Sequence, residues 1–453
     1  MLRNNDAVAA TVTGYTSEGL GVARTPEGVL FVPDAIEGET ALLRVTHVGA
    51  RGAWARIEKL ETVSPHRVER KCPLGRRCGG CAFWHMDYGE ELRLKSQRVR
   101  DALTRIGGFD PGEVPILAAP SCEGYRNKAV YPVAPGKHGP VAGFYRGGTH
   151  EVLPVERCLI QADAADRAKD AVLAWMRRHA VSAYDEKTHT GCVRHICVRT
   201  AFGTGETLVC VAANAERGPA EADLVSALRE AVPGLKTVVW NVNRARTNVV
   251  LGETFRPIFG DGTIGETLCS LRFRLSARSF FQVNPAQAAR LYEKALDFAA
   301  LSPADTALDF YCGTGTITLL LAGRAGRAIG VESVAAAVDD ARENARANGV
   351  RNVEFLCADA GEAAEKLAAD GVRPDVLVVD PPRRGLSPEV IAAAAAMGPR
   401  RVVYVSCDPA TLARDVSRFR EAGFSPVKAE SVDMFPRCAH VETVVLMSRI
   451  EGK

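Results

Sequence analysis

No apolar run in the 453-residue chain is long enough to cross a bilayer, and the N-terminal MLRNNDAVAATV lacks a signal-peptide core. The first absence excludes a spanning helix. The second is not what a secreted protein shows, so a cytoplasmic location is expected. Charge of either sign is scarce in net terms, at +3, which does not by itself announce a nucleic-acid partner. Internal repeats, low-complexity tracts and long linkers are also missing, which excludes a repeat array. The thirteen cysteines are odd in number and scattered, so they suit a reducing compartment better than a disulfide framework. What remains is 47% hydrophobic and 25% charged residues, ordinary values for a soluble globular protein. This length suggests roughly two to four domains.

Charge is unevenly spread. From His66 to Arg105, ten Lys and Arg (67, 70, 71, 76, 77, 93, 95, 98, 100, 105) stand against five Asp and Glu (69, 87, 90, 91, 101). That excess of five is either a phosphate-facing patch or a solvated helix face. Before it, residues 1 to about 60 alternate short β-type runs with glycine turns: Val8-Ala-Ala-Thr-Val-Thr, Val29-Leu-Phe-Val, Ala41-Leu-Leu-Arg-Val and Ala53-Trp-Ala-Arg-Ile. Such spacing predicts a small barrel of the oligonucleotide-binding type. Within the basic stretch lies Cys72-Pro-Leu-Gly-Arg-Arg-Cys78-Gly-Gly-Cys81. Glycines there let the backbone wrap a metal, and Cys158 is the best candidate for a fourth thiolate. Four thiolates suit zinc or an iron–sulfur cluster, and spacing does not separate the two.

A helix is predicted from Gly89 to Ile106, with Leu92, Val99, Leu103 and Ile106 on one side and Arg93, Lys95, Arg98, Arg100 and Arg105 elsewhere. Between about 110 and 270, strand-like runs alternate with two helical ones, Ala162 to His179 and Pro219 to Ala231. Arg126-Asn-Lys-Ala-Val-Tyr suits an RNA contact or a solvated strand edge. From about 285 the grammar becomes strand, helix, strand, which predicts a parallel, doubly wound α/β sheet.

Chemistry gathers at the ends of those strands. Asp309 to Gly315 is a strand followed by a glycine turn, but GTGTIT lacks the GxGxxG of dinucleotide binders. Glu332, ending the next strand, is positioned for a ribose, and Asp359, ending the third, for an adenine amino group. Together they fit the nucleoside half of S-adenosylmethionine. The fourth strand ends in Asp380-Pro381-Pro382-Arg383. Amino-group methyltransferases carry an aromatic residue after such prolines, and cytosine-C5 enzymes carry a cysteine in this motif. Neither is present. The thiol lies one strand on, in Ser406-Cys407-Asp408-Pro409, at a strand's carboxyl end and before a helix whose N-terminus would lower the thiol's pKa, with Asp408 working the other way. A thiolate is what carbon 5 of uracil needs. Addition at carbon 6 makes an enolate whose carbon 5 attacks a sulfonium methyl, and a general base then removes the carbon 5 proton. His440-Val-Glu442 offers both a histidine and a carboxylate for that base.

With these residues in view, the chain resembles the bacterial RNA uridine-C5 methyltransferases, especially the iron–sulfur branch acting on 23S ribosomal RNA. SCDPATLARD and HVETVVLM carry the likeness, and the N-terminal runs resemble the RNA-binding TRAM module. The resemblance implies an α/β fold with three parts. These are a TRAM-like barrel over residues 1–62, a central α+β RNA-recognition region over 63–275 carrying a cluster, and a Rossmann-like class I methyltransferase domain over 276–453. It further implies Cys407 as nucleophile and Glu442 as general base. Gln282 in Ser279-Phe-Phe-Gln-Val-Asn joins Tyr311, Glu332, Asp359 and Asp380 around S-adenosylmethionine. Cys72, Cys78, Cys81 and Cys158 match the four ligands of a [4Fe–4S] cluster. The expected substrate is 23S rRNA, with tRNA as the alternative, and the expected state is a monomer. Two rival readings are a radical S-adenosylmethionine RNA enzyme and a non-catalytic RNA-binding protein on a methyltransferase fold.

Overall fold

The computed structural model describes residues 2–450. Met1 and residues 451–453, the outer ends of the first and last expected domains, and the Arg76 side chain of the basic stretch lie outside the described residues. Alternation in Ala7–Tyr15, Thr40–Gly49 and Gly52–Thr62 turns every second side chain inward, burying Val12, Leu43, Val45, Ala53 and Ala55. With Gly21–Thr25 and Gly28–Val32 these strands close a five-stranded barrel. The sequence reading misses Gly21–Thr25 because GVART is too short to show alternation.

The second sheet has seven strands in the order Thr254–Phe259, Leu235–Val242, Thr207–Ala213, Val193–Thr200, Lys128–Gly136, Gly139–Tyr145, Val152–Pro154. Helices Asp163–Arg178 and Glu221–Ala231 cover one face, where Trp175 meets Trp240 edge-on at 6.3 Å. The other face sends Cys197, Cys210 and Val239 into a core shared with the C-terminal part. Burial on both faces explains why Thr207–Ala213 is buried at every position and reads as an unbroken apolar run. Each fully buried Val or Leu there contributes about 1.5–3 kcal/mol.

The third sheet has eight strands in the order Val353–Cys357, Arg327–Glu332, Thr306–Phe310, Val376–Val379, Arg401–Ser406, Glu442–Arg449, Phe424–Val432, Ile116–Leu117. The first five are parallel, with helices between them, which is the Rossmann-like arrangement expected. Its far side corrects the expectation of a parallel sheet. Glu442–Arg449 inserts antiparallel between Arg401–Ser406 and Phe424–Val432. Only residues 433–441 join those last two long strands, too short a link for a crossover helix, so the chain must double back.

Helix Tyr88–Arg105 starts at Asp87, whose carboxylate accepts from Glu90 N at 2.8 Å, and it buries Val99 and Leu103 against Val416 and Phe419 of helix Pro409–Glu421. Two expectations are corrected here. Ile106 is half exposed, whereas Lys95, assigned to the polar side, is 1% exposed. Lys95 Nζ donates to Glu91 Oε1 at 2.7 Å, Asp433 Oδ1 at 2.6 Å and the Phe435 carbonyl at 3.1 Å. Glu91, one turn back on the same helix, and Asp433, far away in sequence, together make its burial tolerable, and no local pattern reveals the second. The stretch 63–275 thus lends a helix and the strand Ile116–Leu117 to the C-terminal sheet. No helix among the described residues is long and apolar enough to cross a membrane.

Candidate active site

The parallel strands end on one rim, and the turn after Thr306–Phe310 is the tightest on it. Tyr311, Gly313 and Gly315 all have positive φ, at 68°, 54° and 82°. A side chain on Gly315 would press on Phe355 at 2.9 Å, whereas one on Gly313 would meet nothing within 4 Å. Packing therefore requires the first glycine, and the second leaves open space against the helix Thr316–Ala322. Tyr311 holds a left-handed backbone without being glycine, a strain of about 1–3 kcal/mol that marks functional turns. Glu332 secures the rim by accepting from Gly313 N at 3.2 Å and Val334 N at 2.9 Å. Beneath it, buried Asp309 accepts from Thr318 Oγ1 at 2.6 Å, its other oxygen has no partner among the described residues, and burial pushes its pKa up to about 8.

Cys407 follows Arg401–Ser406, and Glu442 opens Glu442–Arg449. Those strands pair with Ser406 opposite Thr443, so Cys407 and Glu442 are the next residues facing each other across the ladder. Side chains at such positions have Cβ atoms about 4.5–5.5 Å apart. Val379 pairs with Tyr404 on the other flank, bringing Asp380 to the same rim. Helix Pro409–Glu421 begins at Asp408, whose carboxylate accepts from Ala410 N and Thr411 N, both at 2.9 Å. That cap decides between the two opposing effects expected at Cys407. The helix does not lower the Cys407 thiol, because Asp408 occupies its free amides. Burial, then Glu442 and Asp380, push the thiol up to about 11, against the pull of Arg383. Burial raises Glu442 to about 8, with Asp380 adding to it, and raises Asp380 to about 7.

A cleft of about 810 Å³ brings together Gln282, Tyr311, Glu332, Asp380, Cys407 and Glu442. Asp359 is not among its lining residues. Its carboxylate caps helix Ala360–Ala369, accepting from Gly361 N at 2.8 Å. The Gln282 segment is held from the second sheet, where Asn127 Nδ2 donates to the Gln282 carbonyl at 3.1 Å and Asn127 N to that of Val283 at 2.8 Å. Sequence reasoning named His440 only as one of two candidates for the general base and gave Phe435 and Phe280 no role of their own, and all three line the cleft. Phe280, 70% exposed, lies within the Gln282 segment, and Phe435 lies five residues before His440. Arg126, read only as a general RNA contact, lies over the Phe435 ring at 5.8 Å.

Cys72, Cys78, Cys81 and Cys158 line a single neighbouring cavity of about 500 Å³, and Cys72, Cys81 and Cys158 pack against Trp84, Tyr125 and Ile160. All four are free thiols. Burial raises Cys78, and it raises Cys158 to about 11. Among the described residues no three His, Cys, Asp or Glu side chains converge as a metal-holding group, so the fit to a cluster rests on the donor set and the shared cavity. A fifth thiol escaped the sequence reading. Buried Cys438, only four residues before Glu442, donates to the Gly80 carbonyl at 3.1 Å.

Residues 264–450 match the family model described as tRNA (Uracil-5-)-methyltransferase. An uncharacterized RNA methyltransferase of Halalkalibacterium halodurans is 40% identical, covering 98% of both chains, and one of Bacillus cereus is 39% identical over 99% of this chain and 98% of its own. The crystal structure of Pyrococcus abyssi tRNA (uracil-54, C5)-methyltransferase with S-adenosyl-L-homocysteine superposes with a TM-score of 0.78 at 28% identity, covering 97% of this chain and 99% of that one. Likeness along the whole chain, together with a strand-end rim built around a thiol and two carboxylates, shows that the protein belongs to the RNA uracil-5-methyltransferase family.

Proposed function

We propose that the protein methylates carbon 5 of a uridine in RNA, with Cys407 as nucleophile and Glu442 as general base, and with 23S rRNA as substrate. The observation that carries this reading is the register that sets Cys407 opposite Glu442 beside Asp380. S-adenosylmethionine, held along Gln282, Tyr311, Glu332 and Asp380 with Asp359 beyond them, supplies a methyl group on a sulfonium. The orphaned Asp309 oxygen beneath the turn and the open space at Gly313 support that fit.

Cys407 is protonated at neutral pH, and Asp380 is the nearby carboxylate that takes its proton. The thiolate adds to carbon 6, and the ring's π electrons move onto the carbon 4 oxygen. Those electrons would return through carbon 5 to bond the sulfonium's methyl carbon, while the pair of the broken sulfur–methyl bond would stay on sulfur as a neutral thioether. Glu442 then removes the carbon 5 proton, and the electron pair left behind expels Cys407. Arg383 favours the ionised forms of both groups.

RNA carrying 5-fluorouridine tests the mechanism, since fluorine cannot leave as a proton. Wild type should give a covalent adduct and Cys407→Ala none. An adduct in the variant would remove Cys407 from the role.

We assign RNA holding to residues 1–62 and 63–275 and methyl transfer to 276–453. The preference for 23S rRNA rests on the resemblance to the iron–sulfur branch. The likeness to the Pyrococcus abyssi enzyme supports tRNA as the alternative, and assaying both transcripts for 5-methyluridine decides between them. Cys72, Cys78, Cys81 and Cys158 would hold a [4Fe–4S] cluster that orders the surrounding loops. Anaerobically purified protein should contain iron and sulfide and lose both in Cys158→Ala. Zinc in their stead would overturn the cluster.

A further inference from the structure

The second sheet carries a cavity of about 510 Å³ that the methylation chemistry does not use. It opens on the face from which Cys197 packs toward the methyltransferase core, and six of its walls are Tyr145, His150, Tyr184, Glu186, Arg194 and His195. His195 is 7% exposed, and its Nδ1 is buried with no hydrogen-bond partner among the described residues. Desolvating an imidazole nitrogen in this way is costly. Burial, then the neighbouring Arg194, push the His195 pKa down to about 4, so the ring is neutral and has a lone pair and an N–H rather than a charge.

Apart from the exposed Lys187 at its edge, the walls favour a base over a phosphate. Arg194, the buried cation, already donates to the Asn243, Ala245 and Thr247 carbonyls at 3.0, 2.6 and 3.1 Å, and its guanidinium stacks 4.4 Å from the Tyr184 ring centre. Glu186, which accepts from Tyr145 Oη at 3.3 Å and lies 2.9 Å from His150 Nδ1, repels an anion. Tyr145 and His150 form an aromatic pair with centroids 5.1 Å apart. Aromatic faces, a carboxylate and a neutral imidazole make the surroundings in which an unstacked nucleobase is held by stacking and by hydrogen bonds at its edge.

Continuity names the source of that base. Tyr145 and His150 also line the cysteine cavity, and Arg126 lines both that cavity and the Cys407 cleft. The three hollows follow one another, and Arg126 and Pro132 lie roughly 20 Å apart along the strand. We propose that this cavity takes a second, unstacked nucleobase of the RNA strand whose uridine enters the Cys407 cleft. The inference rests on the proposed RNA substrate and adds a specificity subsite to it.

The test measures equilibrium binding of transcribed 23S rRNA and tRNA separately from 5-methyluridine formation. Tyr145→Ala should weaken binding of the substrate RNA about tenfold or more. Tyr145→Phe, which keeps the ring, should stay within about twofold, and thermal midpoints of both variants should match wild type. One abasic nucleotide, away from the methylated uridine, should weaken wild-type binding as much as Tyr145→Ala and cost that variant nothing further. His195→Ala should show the same non-additivity with that position. Unchanged binding in Tyr145→Ala, additive losses, or no binding of either RNA by wild type would overturn the inference. RNA bound with the expected variant pattern but not methylated would instead defeat the functional reading and leave the subsite standing.

Discussion

In the cleft Cys407 looks onto Asp380, Glu442 and Arg383, whereas in the neighbouring cavity Cys72, Cys81 and Cys158 pack on Trp84 and Ile160. Desolvation raises Cys407 and Cys158 alike to about 11, so acidity does not distinguish them. What differs is the company. A thiol facing two carboxylates has somewhere to send a proton and a second group to finish a reaction, while thiols gathered among apolar side chains have only one another. The connection 433–441 binds the two regions. It brings the Cys438 thiol to the carbonyl of Gly80, which borders the cysteine cavity, brings His440 into the cleft, and leads directly to Glu442.

The sharpest break in that comparison is Cys407→Ala, expected to lower methylation by roughly 10⁴-fold or more, as loss of a covalent nucleophile does. Cys158→Ala, by contrast, should lower the thermal midpoint and leave 5-fluorouridine trapping at Cys407 intact in the folded fraction. Equal loss of trapping in both variants would erase the distinction. Next comes Glu442→Gln, expected to slow turnover about 10²- to 10⁴-fold by stalling release, so that protein accumulates covalently attached to RNA. Rapid turnover with no adduct would assign the base elsewhere.

Lys95→Met probes the tie between the regions. Leaving Asp433 buried without its cation, and Glu91 with Arg437 alone at 3.3 Å, should cost about 3–5 kcal/mol, read as a drop in the chemical denaturation midpoint. A change below about 1 kcal/mol would mean that the connection is held by packing alone. The smallest effect is that of pH. Glu442 must be ionised to accept a proton and its pKa is raised to about 8, so the rate of release after methyl transfer, followed in a single turnover, should rise with pH and level off above about 8. Between pH 6 and 7 the increase should be about tenfold. A flat profile would show that a group ionised throughout serves as the base.

Much of the rim was legible beforehand because its residues sit in local patterns. The runs ending at Glu332, Asp380 and Cys407 are apolar strands closed by a polar residue, and the structure sets Arg327–Glu332, Val376–Val379 and Arg401–Ser406 there. Lys95 was misread because its pair with Glu91, one turn back, looks like an ordinary surface pair while Asp433 is distant in the chain, and Cys438 because nothing near it in sequence resembles a ligand set. At Cys407 the helix N-terminus and Asp408 could be read as opposing one another, but not which prevails, since Asp408 could be read as a charge and not as the cap that takes up helix amides.

By itself the sequence determined which chemistry is available: a thiol at a strand end, carboxylates on the adjoining strands, cysteines among glycines, and the alternation that builds barrel and sheet. Those properties follow from side-chain type and short-range period. Only the tertiary structure decided that Glu442 stands opposite Cys407. That pairing depends on a strand that enters the sheet antiparallel, and its register is set by the burial of Val444, Val445 and Met447 against neighbours distant in the chain.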